Sequence, residues 1–102
     1  MNDHIFQGYI DNITQYYGIS QKYLFSKGKN KSRVEPRQLF YYLCNKQGIP
    51  IVSIQSFLKK KNISFQHHSV ISRGLGVISD KIEKYDRYKK IIERLGKVSQ
   101  NV

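Results

Sequence analysis

A chain of 102 residues with 39% hydrophobic and 13% aromatic content can bury one modest core and lacks the length for two. Eighteen lysines and arginines against seven acids leave a formal charge of +11, a field that favours polyanions such as nucleic acid or an anionic membrane surface. The single cysteine, Cys44, excludes an intramolecular disulfide, and no apolar run approaches the roughly 18 residues of a membrane span. The start Met1-Asn2-Asp3-His4 has neither the basic nor the apolar region of an export signal, so a soluble, unprocessed, cytoplasmic protein is expected.

Phe6, Tyr9, Ile10, Ile13, Tyr16 and Tyr17 recur at spacings of three and four, which predicts an amphipathic helix from Asp3 to Tyr17 with Asp3 as N-cap and Gly18 as the stop. A short helical turn is expected around Ser20 to Phe25. The stretch Ser26-Lys27-Gly28-Lys29-Asn30-Lys31 has turn residues and no apolar period, and reads as a basic loop. Pro36 suits the first turn of a new helix, with Glu35 beside it at the positive end of the dipole; Leu39, Phe40, Leu43 and Cys44 form its buried stripe, and Gly48 ends it. Ile49-Pro50 opens the next helix, with Ile51, Ile54, Phe57 and Leu58 inward until Lys59-Lys60-Lys61-Asn62 breaks the pattern. This pair is a helix-turn-helix or the scaffold for one. Ile71, Leu75, Ile78 and Ile82 predict a long helix from about Gln66 to Lys84, crossed by Gly74 and Gly76, and Tyr88, Ile91, Ile92 and Leu95 predict a last helix from Asp86. No segment alternates with a strand period. The expected fold is all-α, a compact bundle of about five or six helices containing a helix-turn-helix. Residues 1–97 are expected to form one domain, and 98–102 a frayed tail.

Charge is unevenly placed. From Lys22 to Arg73 there are 11 basic residues and one acid, Glu35, whereas Asp80 to Lys97 mixes seven basic with four acidic side chains. The first region is the candidate binding face, and the second reads as a solvated helix surface.

Catalysis finds little support. There is no His-Glu-x-x-His and no close acid pair in an apolar setting, so no enzyme activity is expected. Gly28-Lys29 departs from a phosphate loop, because Tyr23 stands at the upstream glycine and Asn30 where Ser or Thr would hold magnesium. Cys44 lies on an apolar stripe and reads as a buried thiol. His67 and His68 are adjacent, so on a helix they point about 100° apart, and no third ligand sits at a supporting spacing. No metal and no cofactor are expected. At a helix start, these imidazoles, the Ser69 hydroxyl and the free backbone N–H groups suit phosphates or base edges; the bland reading is a surface cap. Lys59, Lys60 and Lys61 read as a solvated helix end with cumulative electrostatic value, and the Lys27–Arg33 loop is placed to reach a minor groove.

Several parts then fall in a known order: Tyr16-Tyr17-Gly18-Ile19-Ser20, a basic loop, Pro36-Arg37-Gln38 leading to Tyr42-Leu43-Cys44, Ile51 with Ile54, and His68-Ser69 followed by Ile71 and Ile78. Over about residues 6 to 95 this order resembles the C-terminal DNA-binding domain of the bacterial replication initiator DnaA. The resemblance implies an all-helical domain that reads a short asymmetric box in duplex DNA, with a helix start in the major groove and a basic-loop arginine in the minor groove. It puts His68 and Ser69 on base-reading positions, Lys29 near the minor-groove arginine, and Arg37 and Gln38 on a matching Arg-Gln with a backbone role. His67 replaces the family's aspartate, Val70 replaces its threonine, the preceding Gly-Gly-Arg is absent, and the connection from Leu58 to His68 is longer. A different or looser sequence preference is therefore expected. The chain has no room for the family's ATPase module and looks like a freestanding reader domain, from a phage or mobile element.

The leading expectation is a double-stranded DNA-binding protein in replication or transcription control. His67, His68, Ser69 and Lys29 would read bases, while Lys27, Lys31, Arg33, Arg37, Gln38, Lys59, Lys60, Lys61 and Arg73 would hold phosphates. The alternative is a structural or adaptor protein of a virion or nucleoid, which binds nucleic acid non-specifically and docks a protein partner through Tyr9, Tyr16 and Tyr17. RNA binding is a third reading. No membrane partner and no small-molecule substrate are expected.

Overall fold

The computed structural model describes residues 3–28, 30–63 and 67–97, Lys31 through its backbone only. Among these residues there are six α-helices and no strand: α1 Asp3–Tyr17, α2 Gln21–Leu24, α3 Lys31–Lys46, α4 Ile51–Lys60, α5 His68–Lys84 and α6 Arg87–Leu95. The all-α expectation holds. Residues 98–102, read as a tail, lie outside the described residues.

Three of the helices end where the backbone enters the left-handed region. Gly18 (φ 67°) and Gly48 (φ 85°) turn the chain after α1 and α3, and Asn62 (φ 64°) does the same after α4 with a side chain that tolerates that conformation. In all three cases the following amide folds back on the helix, Ile19 N to the Thr14 carbonyl at 3.0 Å, Ile49 N to the Cys44 carbonyl at 3.1 Å and Ile63 N to the Leu58 carbonyl at 2.9 Å. Two helix starts differ from the sequence reading. Asp3 is the first helical residue of α1 and so not its cap. α3 begins at Lys31, five residues before Pro36, because the Asn30 carbonyl accepts the first intrahelical bonds from Arg33 N (3.1 Å) and Val34 N (3.0 Å). Pro36 therefore sits inside the helix, where its ring removes the N–H that would have bonded the Ser32 carbonyl.

α3 is the central element and packs against α1, α2, α4 and α5, while α6 closes on α1 and α5. An aromatic chain runs through the core: Phe6 stacks on Phe57 at 4.4 Å, and Phe40 lies 6.3 Å from Phe6 and 5.6 Å from Phe25. Ile10, Ile13, Leu39, Cys44, Ile54, Leu58, Ile71, Ile78 and Tyr88 are fully buried around it. Burial alone holds the Cys44 thiol above its ordinary pKa, as expected of an inert structural cysteine. Gly74 explains how α5 lies so near α3: a Cβ there would come within 3.3 Å of Gln38 Cγ and 3.5 Å of the Tyr41 ring, whereas Gly76 faces open space.

Polar bonds fix the last helix. Asn12 Nδ2 donates to the carbonyls of Leu95 (2.9 Å) and Lys97 (3.2 Å), covering acceptors that the end of α6 leaves unpaired. Tyr9 is buried in the core and Tyr17 is half-buried with its hydroxyl on Glu35 of α3, so two of the three tyrosines considered for partner docking serve the fold. Tyr16 stays 40% exposed.

Candidate nucleic-acid interface

α5 begins at His68, with His67 in extended conformation as the cap residue and no side-chain bond closing the cap. Its carbonyl accepts from Ile71 N at 3.0 Å. His67, His68, Ser69 and Val70 are all exposed, so the first turn presents two imidazoles, a hydroxyl and unclosed backbone donors to solvent. Such a terminus attracts anions, and its side chains are long enough to reach base edges. Gln66, placed at the helix start by the sequence reading, lies outside the described residues.

Lys29 of the basic loop is also outside the described residues, as is the Lys31 side chain. Around them, two arginines grip the loop. Arg33 donates from Nη1 to the Lys27 carbonyl (2.6 Å) and Ser26 Oγ (2.9 Å), and its guanidinium lies 4.9 Å from the Tyr23 ring centre. Arg37 is 6% exposed and donates from Nη2 to the Gly28 carbonyl (2.8 Å) and from Nε to the Arg33 carbonyl (3.2 Å). Burial lowers its pKa from the usual arginine value, the cost of holding a charge there. Gly28 has φ 155°, a conformation that side chains rarely adopt, and a Cβ there would also meet the Arg33 guanidinium at 2.5 Å. Tyr23 and Ser32 join hydroxyl to hydroxyl across the same loop. Charge assigned Arg33 to phosphates, and charge together with the family resemblance assigned Arg37. Their donors shape the loop that carries the lysines, and Tyr23, Ser26 and Ser32 complete that scaffold without having been singled out in the sequence.

The loop, α3 and α5 together enclose a cleft of about 450 Å³. Lys27, Arg37, Gln38 and Arg73 stand on it, so four of the residues read as phosphate ligands are brought together. Between them the wall is apolar, made by Val34, Tyr41, Val70 and Val77, a surface that helical periodicity did not reveal because Val70 and Val77 lie off the core stripe. Gln38 Oε1 is buried there without a hydrogen-bond partner among the described residues. That oxygen only accepts, so contact with a phosphate falls to Nε2.

The lysines at the end of α4 are not on this cleft. Lys59, Lys60 and Lys61 are exposed; Lys60 borders a separate groove with Val52 and Phe57, and Lys61 Nζ lies 5.6 Å from the Phe57 ring centre. No helix is long and apolar enough to cross a membrane, and no group of three or more His, Cys, Asp or Glu could hold a metal, among the described residues.

No family model matches the chain, and no solved structure matches it. Among curated proteins it is similar to the chromosomal replication initiator protein DnaA 1 of Chlamydia pneumoniae, 29% identical over 75 residues that cover 74% of this chain and 15% of that protein. DnaA 1 of Chlamydia trachomatis serovar D is 29% identical over 80 residues, 78% of this chain and 16% of that protein, and DnaA 2 of Chlamydia caviae is 26% identical over 77 residues, 76% and 16%. The chain thus spans about one sixth of the length of these relatives, and over most of its own length it is similar to one segment of replication initiators.

Proposed function

We propose that this chain binds double-stranded DNA through a helix-turn-helix in which α5 enters the major groove, α3 and α4 support it, and the basic loop tracks the neighbouring backbone. The observation that carries the reading is the open first turn of α5 (His67, His68, Ser69), whose next residue, Val70, lines the cationic cleft of Lys27, Arg37 and Arg73. His67, His68, Ser69 and Lys29 read bases; Lys27, Lys31, Arg73 and the lysines 59 to 61 hold phosphates; Arg33 and Arg37 mainly hold the loop in place. The similarity to replication initiators supports a role in control of replication or transcription. The chain acts by binding alone, without ATPase chemistry.

Duplex affinity measured across a salt series tests this. Neutralising about six phosphates gives a slope of log affinity on log salt of roughly −5. A slope near zero, or no binding at low salt, overturns the proposal.

A further inference from the structure

A second cationic surface lies near the far end of α5, formed by α6, Tyr85 and Tyr16. Arg87, Lys90 and Arg94 follow one another at spacings of three and four, so they share one side of α6. All three are exposed, while Tyr88 and Leu95 of the same helix are buried in the core. That burial argues against a membrane as the partner, because inserting the helix would strip the core of those side chains.

Tyr16 and Tyr85 flank this side, 40% and 52% exposed. The Arg94 guanidinium lies 5.5 Å from the Tyr16 ring centre, and that of Arg87 lies 5.9 Å from Tyr85 and 4.7 Å from Tyr88. A shallow groove of about 530 Å³ runs between Tyr16, Arg87, Lys90, Ile91 and Arg94, with Asp86 at one end. Among the described residues Asp86 pairs with Lys89 at 3.6 Å, and no carboxylate pairs with Arg87, Lys90 or Arg94.

Cations without acid partners select a polyanion, and the exposed rings narrow the choice. A duplex hides the faces of its bases, and an acidic peptide has none to offer. An unpaired strand brings phosphates for the cations and flat faces for the tyrosines. We propose that the Tyr16–α6–Tyr85 surface binds single-stranded nucleic acid, with phosphates on Arg87, Lys90 and Arg94 and bases stacked on Tyr16 and Tyr85. The 17 residues of α5 separate this surface from His67 by about 25 Å, so a duplex and a single strand can be held at once.

The test is fluorescence anisotropy of the whole chain with labelled oligothymidine, an abasic strand of equal length, polyglutamate and a duplex. Two double variants are compared, Tyr16→Leu with Tyr85→Leu, and Lys90→Ala with Arg94→Ala; Arg87 is left in place because it bonds the Tyr88 hydroxyl. The wild type binds oligothymidine at least about thirtyfold tighter than the abasic strand, as two bases stacked on tyrosines require. The tyrosine variant loses that preference and keeps its affinity for the abasic strand. The cation variant weakens binding to both strands, and neither variant changes duplex affinity or circular dichroism. Equal affinity of the wild type for oligothymidine, the abasic strand and polyglutamate overturns the proposal, as does displacement of bound duplex by oligothymidine. Duplex bound without oligothymidine refutes this surface alone, and a chain that binds neither refutes both readings.

Discussion

The Tyr88 hydroxyl donates to the Glu35 carboxylate at 2.6 Å, tying α6 to the start of α3 across 53 positions of sequence. Tyr17 of α1 donates to the other carboxylate oxygen at 3.2 Å, and Arg87 Nη2 donates to the Tyr88 oxygen at 3.0 Å. One acid thus joins three helices, and it is the acid that stands alone among the basic residues from Lys22 to Arg73. Tyr88→Phe removes both charge-assisted bonds of that hydroxyl, the one to Glu35 and the one from Arg87, and should cost at least about 1.5–3 kcal/mol in urea unfolding. A loss below the error of the measurement would mean the tether contributes nothing.

The same cluster makes the fold sensitive to alkali. Burial first, and the neighbouring Glu35 charge and hydrogen bond next, raise the pKa values of Tyr17 and Tyr88 above the ordinary phenol value. The folded state therefore keeps protons that the unfolded chain releases, so this stabilisation is complete below about pH 10 and declines as pH rises beyond it. The urea midpoint should fall more steeply above that pH in the wild type than in Tyr88→Phe. Parallel profiles would contradict the assignment.

The two glycines of α5 should respond differently to alanine. At Gly76 a Cβ meets nothing within 4 Å, so Gly76→Ala gains helix propensity and should stabilise by about 0.5–1 kcal/mol. At Gly74 the Cβ crowds Gln38 Cγ and sits against the Tyr41 ring, and Gly74→Ala should gain less or lose. Thermal unfolding of the two single variants decides it; a larger gain at Gly74 would show that α3 and α5 are not in close contact there.

Arg37 and Lys60 carry the same charge and should behave differently. Arg37 is buried and bonds two carbonyls, so Arg37→Ala should destabilise by about 1–3 kcal/mol and disorder the basic loop as well as weakening DNA binding. Lys60 is exposed, and Lys60→Ala should stay within about 0.5 kcal/mol of wild type. Urea unfolding checks both, and equal stabilities would contradict a scaffolding role for Arg37.

These contrasts mark what was legible in the sequence. The apolar spacing of Phe6 through Ile13, of Leu39 through Cys44 and of Ile71 through Ile78 is a local property, and all three stripes are core. The start of α3 was not legible: proline prefers a first turn, but the Asn30 carbonyl opens the helix five residues earlier and the remaining bonds carry Pro36. The bonds that Arg33 and Arg37 make within the loop were not legible, because a sequence shows charge and not the carbonyls that will lie opposite it. The His67–Ser69 turn was readable since a helix start has a local signature, whereas the apolar wall of Val70 and Val77 becomes a cleft only when α3 and the loop close over it.

The open start of α5 is proposed to read sequence. The most direct test is anisotropy of wild type and His68→Ala on a preferred duplex selected from a random pool and on a scrambled duplex of equal length, at matched salt. His68→Ala should cost about 1–3 kcal/mol on the preferred duplex and almost nothing on the scrambled one. Equal losses on both duplexes, or selection that enriches no sequence, would contradict it.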